Sequence, residues 1–91
     1  MIFVRRVVGK SMTPTLNPGQ IVLFHQIRNF EVGQIVIAFV SGREVIKRIS
    51  KIENGKVYLA VDDEKHAHNG KYYASVTDSK IEGVLFWPRN L

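Results

Sequence analysis

The chain has no cysteine among its 91 residues. This absence excludes disulfide bonds, thiolate metal ligands and cysteine nucleophiles together. Long apolar runs are missing too: the first, "MIFV", ends at Arg5, whereas a membrane-spanning helix needs about 20 apolar residues and a signal-peptide core about 7–15. We therefore expect a chain without a transmembrane anchor that is soluble, cytoplasmic or attached to a membrane only at its periphery.

Positive charge is in excess. Thirteen Lys and Arg residues against eight Asp and Glu give a net charge of +5. Such a balance is typical of proteins that bind phosphates or an anionic membrane surface, and it is equally ordinary for a well-solvated small domain. If a membrane surface is contacted, Ile2 and Phe3, followed by Arg5 and Arg6, are the residues expected to touch it.

Strand patterns fill most of the sequence, and no segment keeps a helical period for more than two turns. Turn signals separate the apolar runs: "NPG" at 17–19, "SGR" at 41–43, and "NG" at 54–55 and 69–70. We predict a mainly β fold, with 1–91 forming one small domain of antiparallel strands in a partly closed barrel. About six strands are expected, at 20–27, 33–40, 43–50, 56–61, 71–76 and 81–87.

The stretch "GKSMTPTLNPGQ" places Ser11 in a constrained turn, and a serine hydroxyl needs a base to become a nucleophile. Lys47 is one candidate base, because it shares a strand face with Val45 and Ile49, and burial of that face lowers the pKa of its amine. Lys10 is a poor candidate, since an adjacent side chain in extended chain points the other way. Histidine with a carboxylate is another option, although no spacing connects these residues to Ser11: His25, His66, His68, Asp62, Asp63 and Asp78.

Two plainer interpretations of the same residues stay open on the pattern alone. Ser11 can be a turn residue whose hydroxyl caps a backbone N–H. Lys47 can lie along an apolar edge with its ammonium in water.

Four segments, in this order along the chain, favour the catalytic interpretation of Ser11 and Lys47: "GKSMTPTLNPGQIVLF", "VGQIVIAFV", "EVIKRIS" and "VTDSKIEGVL". Together they resemble the conserved boxes of the signal peptidase I family of serine–lysine proteases, over about residues 7–88. The resemblance implies a fold of the signal peptidase/LexA type. It also implies site residues: Ser11 as nucleophile and oxyanion donor, Lys47 as general base, Gly9 and Met12 beside the site, and Asp78 and Ser79 in the box that supports the lysine.

The same resemblance implies an activity. It is that of a serine endopeptidase that removes a leader or pro-segment from a protein with small side chains at the first and third positions before the cut. The compact chain and its "FWP" segment are similar to the small peptidases thought to mature nickel-type superoxide dismutase. Departures from the family pattern predict altered support for the base and reduced activity. They are Gln34 for aspartate, Val76 for serine, Lys80 for arginine, and "VDD" from Val61 for Gly-Asp-Asn.

The sequence is also compatible with two other functions. A LexA-like domain cleaves itself, but such proteins usually carry a cleavage segment and a DNA-binding domain before the serine, for which ten residues leave no room. A non-catalytic basic β-barrel binding nucleic acid or a protein partner would stack bases on aromatics such as Tyr58, Tyr72, Tyr73 and Trp87, although aromatics in alternating strands more often belong to the core. "HAH" at 66–68 lies near acidic residues, but no second ligand pair follows at metal-site spacing. We expect a protein or peptide substrate, no nucleic acid, no metal and no cofactor.

Overall fold

The computed structural model describes residues 1–63 and 72–89. Its strands form one antiparallel sheet that curls into a half-barrel, so the predicted mainly β, partly closed fold is confirmed. Along the sheet the strands follow the order β1-β2-β7-β3-β4-β5-β6. The seven strands are β1 (Ile2–Arg6), β2 (Ile21–His25), β3 (Ile35–Val40), β4 (Arg43–Glu53), β5 (Lys56–Ala60), β6 (Tyr72–Thr77) and β7 (Ile81–Trp87).

Strand β3 runs through the middle of the sheet and is buried on both faces. Its first four residues, "IVIA", are all at most 4% exposed, which explains why they read as a continuous apolar run rather than an alternating one. Alternate residues of β3 point into two separate cores. One core contains Val7, Met12, Leu16, Val22, Phe24, Ile35 and Ile37; the other contains Val36, Ala38, Ile49, Val57, Leu59, Ile81 and Val84.

The hairpins form where the turn residues predict them. The β3–β4 hairpin turns at Ser41 and Gly42, and the β4–β5 hairpin at Asn54 and Gly55. All four residues have positive φ, which is the type I′ geometry that suits the twist of flanking strands. The predicted hairpin at 69–70 lies outside the described residues.

The sequence predicts six of the seven strands, and β1 is the one that it misses. Ile2 and Val4 face solvent, whereas Phe3 faces inward and its ring stacks on Phe24 with 5.7 Å between centroids. The expectation that Phe3 joins Ile2 in an exposed apolar pair is therefore wrong. Arg5 is tolerated on the inner side because Glu44 accepts two hydrogen bonds from its guanidinium, at 2.7 and 3.2 Å.

Gly83 lets β7 pack closely against its neighbours. A Cβ at this position would lie 2.8 Å from the carbonyl oxygen of His25 and 2.9 Å from Cζ of Phe3. Such distances leave no room for a side chain, so the packing between β1, β2 and β7 requires glycine here.

Irregular pairing bends the sheet. Register shifts occur at four strand pairs: β2–β7, β3–β7, β4–β5 and β5–β6. Bulges of this kind increase the local twist and let an open sheet curl toward a barrel. Within the described residues, none of the helical segments has the length and apolar character needed to cross a membrane.

Candidate active site

Ser11 sits on a tight turn that the core anchors from below. The chain leaves β1 through Val7, which is buried and exchanges backbone hydrogen bonds of 2.8 Å with Gly19 and Gln20. It then passes Gly9, whose φ of +82° is a left-handed conformation that few other residues adopt easily. A single helical turn follows, because the N–H of Leu16 donates to the carbonyl of Met12 at 2.8 Å.

This turn has one apolar side and one open side. Met12 and Leu16 are at most 2% exposed and belong to the first core, so they fix the turn to the sheet. Ser11, between the core and the open side, is partly exposed. Met12, the residue after the serine, is the one that the resemblance places beside the site.

The segment after β5 holds the backbone of Ser11. The N–H groups of Asp62 and Asp63 both donate to the carbonyl of Ser11, each at 2.9 Å. Arg48, on β4, donates two hydrogen bonds of 2.8 and 2.7 Å to the carboxylate of Asp62. The hydroxyl of Thr13 lies 3.1 Å from Oδ2 of Asp63. The serine is thus fixed by the residues that "VDD" contributes, although they are not the family's Gly-Asp-Asn.

Lys47 reaches Ser11 from strand β4. Its side chain is buried, with the whole residue 7% exposed, and its Nζ lies 2.6 Å from Oγ of Ser11 in a hydrogen bond. The interpretation that this ammonium sits in water is therefore wrong. The ring of Tyr73 covers the amine, with 4.5 Å between Nζ and the ring centroid.

The surroundings of Lys47 disfavour a charge on its amine. Burial lowers the pKa of Lys47 because the ammonium loses its hydration, and the nearby positive charge of Arg43 lowers this pKa further. Among the described residues, no carboxylate forms a salt bridge with this amine that would restore the charge.

A cleft of about 530 Å³ opens in front of the serine and the lysine. This volume falls within the range of about 300–1,000 Å³ that is usual for binding pockets. The cleft is lined by the first half of β4, by the stretch from β1 to the serine turn, and by Tyr73. The lining residues are Arg5, Arg6, Val7, Val8, Gly9, Lys10, Ser11, Met12, Ile37, Arg43, Glu44, Val45, Ile46, Lys47 and Tyr73.

One edge of β4 is open beside this cleft. Residues 43–48 pair with β3 along one edge, but β5 pairs along the other edge only from Arg48 onward. In the part of the chain that the structure describes, no strand pairs with the second edge of residues 43–47. Unpaired N–H and C=O groups on a strand edge are a template for another extended segment.

Not all predicted site residues meet in the cleft. Ser11, Lys47, Gly9 and Met12 line it together. Asp78 and Ser79 lie instead on a short 3₁₀ turn between β6 and β7, and the structure does not bring them to the amine.

The two residues have other local contacts. The N–H of Asp78 donates to the carbonyl of Gly55 at 3.3 Å, and the hydroxyl of Ser79 is 2.9 Å from that of Thr77. Each lines a depression other than the cleft. The supporting role that the resemblance implies for them has no direct contact behind it among the described residues.

The geometry does not support a histidine as the base for Ser11. His25 packs against the ring of Phe86, with 3.8 Å between centroids, and does not line the cleft. His66 and His68 lie outside the described residues. Residues 1–63 and 72–89 contain no group of His, Asp and Glu side chains able to hold a metal ion, and the "HAH" segment falls outside them.

Sequence reasoning missed two residues of the cleft. Arg43 shares the strand alternation of Val45 and Lys47, so the same pattern that selected the lysine could have found it. For Tyr73 the sequence suggests only a base-stacking aromatic. Nothing in its own segment signals a contact with Lys47, because β6 reaches this place through its pairing with β5.

A curled antiparallel sheet with a serine hydroxyl on an anchored turn, and a buried amine in contact with it, defines a peptidase-like β domain. The model of the family described as Peptidase S24-like matches residues 1–86, and the chain belongs to this family. A search of curated proteins gave no match. The predicted resemblance is thereby confirmed at the level of the S24, LexA and signal peptidase I-like peptidases. The comparisons do not confirm the likeness to the peptidases of nickel-type superoxide dismutase, which stays a prediction.

Proposed function

We propose that this protein is a serine endopeptidase in which Ser11 is the nucleophile and Lys47 the general base, and that it removes a leader or pro-segment from another protein. One observation carries the proposal: the 2.6 Å contact between the serine Oγ and a buried lysine Nζ inside an open cleft. Membership of the Peptidase S24-like family supports the reaction class, and the paired residues supply its chemistry.

The environment of Lys47 explains how an amine acts as a base near neutral pH. An ordinary lysine has a pKa of about 10.4 and is protonated at pH 7, so it has no lone pair to offer. Burial and the charge of Arg43 lower the pKa of Lys47. The neutral amine then accepts the proton of the Ser11 hydroxyl, which is already within hydrogen-bond distance.

The reaction follows from these two groups. Oγ of Ser11 attacks the peptide carbonyl carbon as its proton passes to Nζ of Lys47, which becomes an ammonium. When the C–N bond breaks, the ammonium returns this proton to the leaving amine, and an ester to Ser11 remains. Lys47 then takes a proton from water, whose oxygen attacks the ester. When the ester C–O bond breaks, the ammonium of Lys47 returns this proton to Oγ; the acid is released, and the serine hydroxyl and the neutral amine are restored.

The backbone N–H of Ser11 is the first oxyanion donor in this proposal. Among the described residues no acceptor is hydrogen-bonded to it, so it is available to the carbonyl oxygen of a substrate. A donor of this kind is typically worth about 3 kcal/mol of transition-state stabilisation. Gly9 lines the cleft but contributes no side-chain donor, and its left-handed backbone brings the chain past the cleft without a Cβ.

The open edge of β4 provides a path for the substrate. An extended peptide that pairs with residues 43–47 would run along the cleft wall and bring one of its carbonyl groups to Ser11. Side chains on one face of that peptide would lie opposite Lys47 and Val45. The family resemblance implies small residues before the cut, and these would lie at the end of the cleft nearest Ser11 and Lys47.

Candidate leader peptides incubated with the protein and analysed by mass spectrometry test this function. Wild-type protein should produce two fragments from a single bond. Ser11→Ala and Lys47→Met should each reduce kcat/KM by at least about a thousandfold, since groups that act as a unit lose nearly all activity singly. The matched control is Lys51→Met, because Lys51 is a lysine of the same strand that lies 5.3 Å from the ring of Tyr58, but its side chain is 56% exposed.

Two results would contradict the assignment. Full activity of Lys47→Met at pH 7–8 would remove the lysine from the role of base. Cleavage of the protein's own chain, at a rate independent of protein concentration and with no cleavage of added peptides, would favour the LexA-like alternative, which the family match also fits.

A further inference from the structure

The cleft carries far more positive than negative charge. Five of its described lining residues are basic, and Glu44 is the one acidic residue among them. The basic residues are Arg5, Arg6, Lys10, Arg43 and Lys47. A concave wall of one sign attracts ligands of the opposite sign and orients them as they approach.

Most of these basic side chains already bind other groups of the protein. Arg5 is held by Glu44 through two hydrogen bonds of 2.7 and 3.2 Å, and Arg6 donates to the carbonyl of Gly19 at 2.9 Å. Lys47 is buried against Ser11. Among the described residues nothing forms a hydrogen bond or salt bridge with the guanidinium of Arg43, which is exposed at the cleft.

Arg43 has a fixed place relative to the catalytic pair. Residues 43, 45 and 47 lie on one face of β4, and a strand advances about 3.3 Å per residue, which puts the Cα of Arg43 about 13 Å from that of Lys47. A peptide paired with the open edge presents side chains about 5 Å from those opposite. Its residue opposite Lys47 is nearest the reacting bond, the one two positions away meets Val45, and the one four positions away meets Arg43.

We propose that Arg43 selects substrates, and that the preferred substrate is an extended segment with a carboxylate side chain four residues from the one opposite Lys47. This inference rests on the proposed function and narrows its substrate to acidic segments. An arginine on a strand suits the role better than Lys10, because the strand fixes its position and its planar guanidinium can bind both oxygens of a carboxylate.

The test compares peptides that differ only by Glu or Gln, placed in turn at each position from the fifth before the cut to the fourth after it. We expect kcat/KM to favour Glu by about two- to fivefold at one position four residues from the residue opposite Lys47. The Glu/Gln ratio within one enzyme is the quantity to measure. Arg43 also influences the base, and that influence is the same for both peptides and cancels in the ratio.

Three variants locate the effect. Arg43→Gln should bring the Glu/Gln ratio to about one, and Arg43→Glu should favour a Lys peptide over the Glu peptide. Arg28→Gln is the matched control: it removes the same charge from an exposed residue that does not line the cleft, and should keep the wild-type ratio. The preference should also be larger at about 0.02 M than at about 0.5 M salt, since exposed charges are screened.

Several outcomes would overturn the inference. These are a Glu/Gln ratio near one at every position, a preference that Arg43→Gln retains, and a preference that Arg28→Gln abolishes equally. Weaker binding of Arg43→Gln to phosphatidylserine vesicles, with an unchanged peptide ratio, would assign the charge to a lipid surface instead.

A binding assay tests the role of Arg43 independently of the proposed peptidase activity. Fluorescence anisotropy of the same peptides with Ser11→Ala needs no cleavage, and there the Glu peptide should bind more tightly unless Arg43 is also changed to Gln. Wild-type protein that cleaves the peptides without a charge preference refutes only the role of Arg43. Wild-type protein that cleaves nothing refutes the peptidase, and anisotropy still decides whether Arg43 binds acidic segments.

Discussion

Replacing Lys47 by methionine tests, without any substrate, whether the folded protein lowers the pKa of this amine. Methionine keeps the approximate length and apolar character of the side chain, but it cannot titrate. Because burial lowers the pKa of Lys47 in the folded protein, the unfolded chain binds a proton at this position over a pH range in which the folded protein does not. Within that range the free energy of unfolding of the wild type must rise with pH.

The size of the effect follows from linkage. One proton gives a slope of about 1.4 kcal/mol per pH unit between the folded pKa of Lys47 and its unfolded value of about 10.4. Above the unfolded pKa both states are neutral and the cost of burial disappears; below the folded pKa the cost is constant and largest. Losing the hydrogen bond to Ser11 shifts the variant by about 0.5–1.5 kcal/mol, a smaller term that leaves the slope in place. Lys47→Met should therefore gain stability relative to wild type as the pH falls.

Urea unfolding at a series of pH values between about 6 and 10.5 measures this difference, and subtracting one protein from the other cancels all other titrating groups. Lys51→Met, which removes an exposed lysine of the same strand, is the control for the loss of a lysine side chain as such. A difference between wild type and Lys47→Met that is flat across the whole range would show that the buried amine has an ordinary pKa. The base assignment would then lose its physical ground.

Three further outcomes are expected. Gly83→Ala should lower the free energy of unfolding by about 1–3 kcal/mol, because its Cβ meets backbone at 2.8 Å, and an unchanged Tm in thermal unfolding would contradict this. Asp62→Asn should lower the free energy of unfolding by about 1–3 kcal/mol, because Arg48 loses the charge of its partner, and should lower kcat because the N–H of residue 62 holds the carbonyl of Ser11; stability in urea and kcat on a peptide that both stay at the wild-type values would contradict this. Tyr73→Leu should move the midpoint of the pH–kcat/KM profile about half a unit lower while Tyr73→Phe leaves it in place, because the ring stabilises the ammonium by about 0.5–1 kcal/mol; a shift upward would refute this.

Local chemistry predicted much of the fold. Asn54–Gly55 tolerates two positive φ values in succession, and this alone fixes a hairpin between β4 and β5. The alternation of Val45, Lys47 and Ile49 predicts that the lysine shares a strand face with two apolar residues, and the structure shows that this face is buried at Lys47. Both signals act over a few residues, where backbone sterics and side-chain periodicity decide the outcome.

Strand β1 escaped the prediction because its polarity is reversed. Its apolar residues Ile2 and Val4 face solvent, while Arg5 points to the inner side and is neutralised by Glu44. A pattern that assigns apolar residues to the core cannot recognise such a strand, since the partner that compensates the arginine is far away in the sequence.

The meeting of Ser11 and Lys47 was predicted from the family resemblance and not from spacing. No local rule connects two residues that are 36 positions apart and have strands β2 and β3 between them. The same limit applies to the supports of the site. Tyr73 reaches the amine through the order of β4, β5 and β6, and the amides of Asp62 and Asp63 reach Ser11 only because the chain turns back after β5.

The two amides that hold the carbonyl of Ser11 link the proposed site to the completeness of the fold. They come from the chain beyond β5, so the turn that carries the serine is fixed only once the early and late parts of the chain have packed together. A partly folded molecule lacks this link between the two parts. In the proposed peptidase, peptide cleavage would therefore depend on a completed fold.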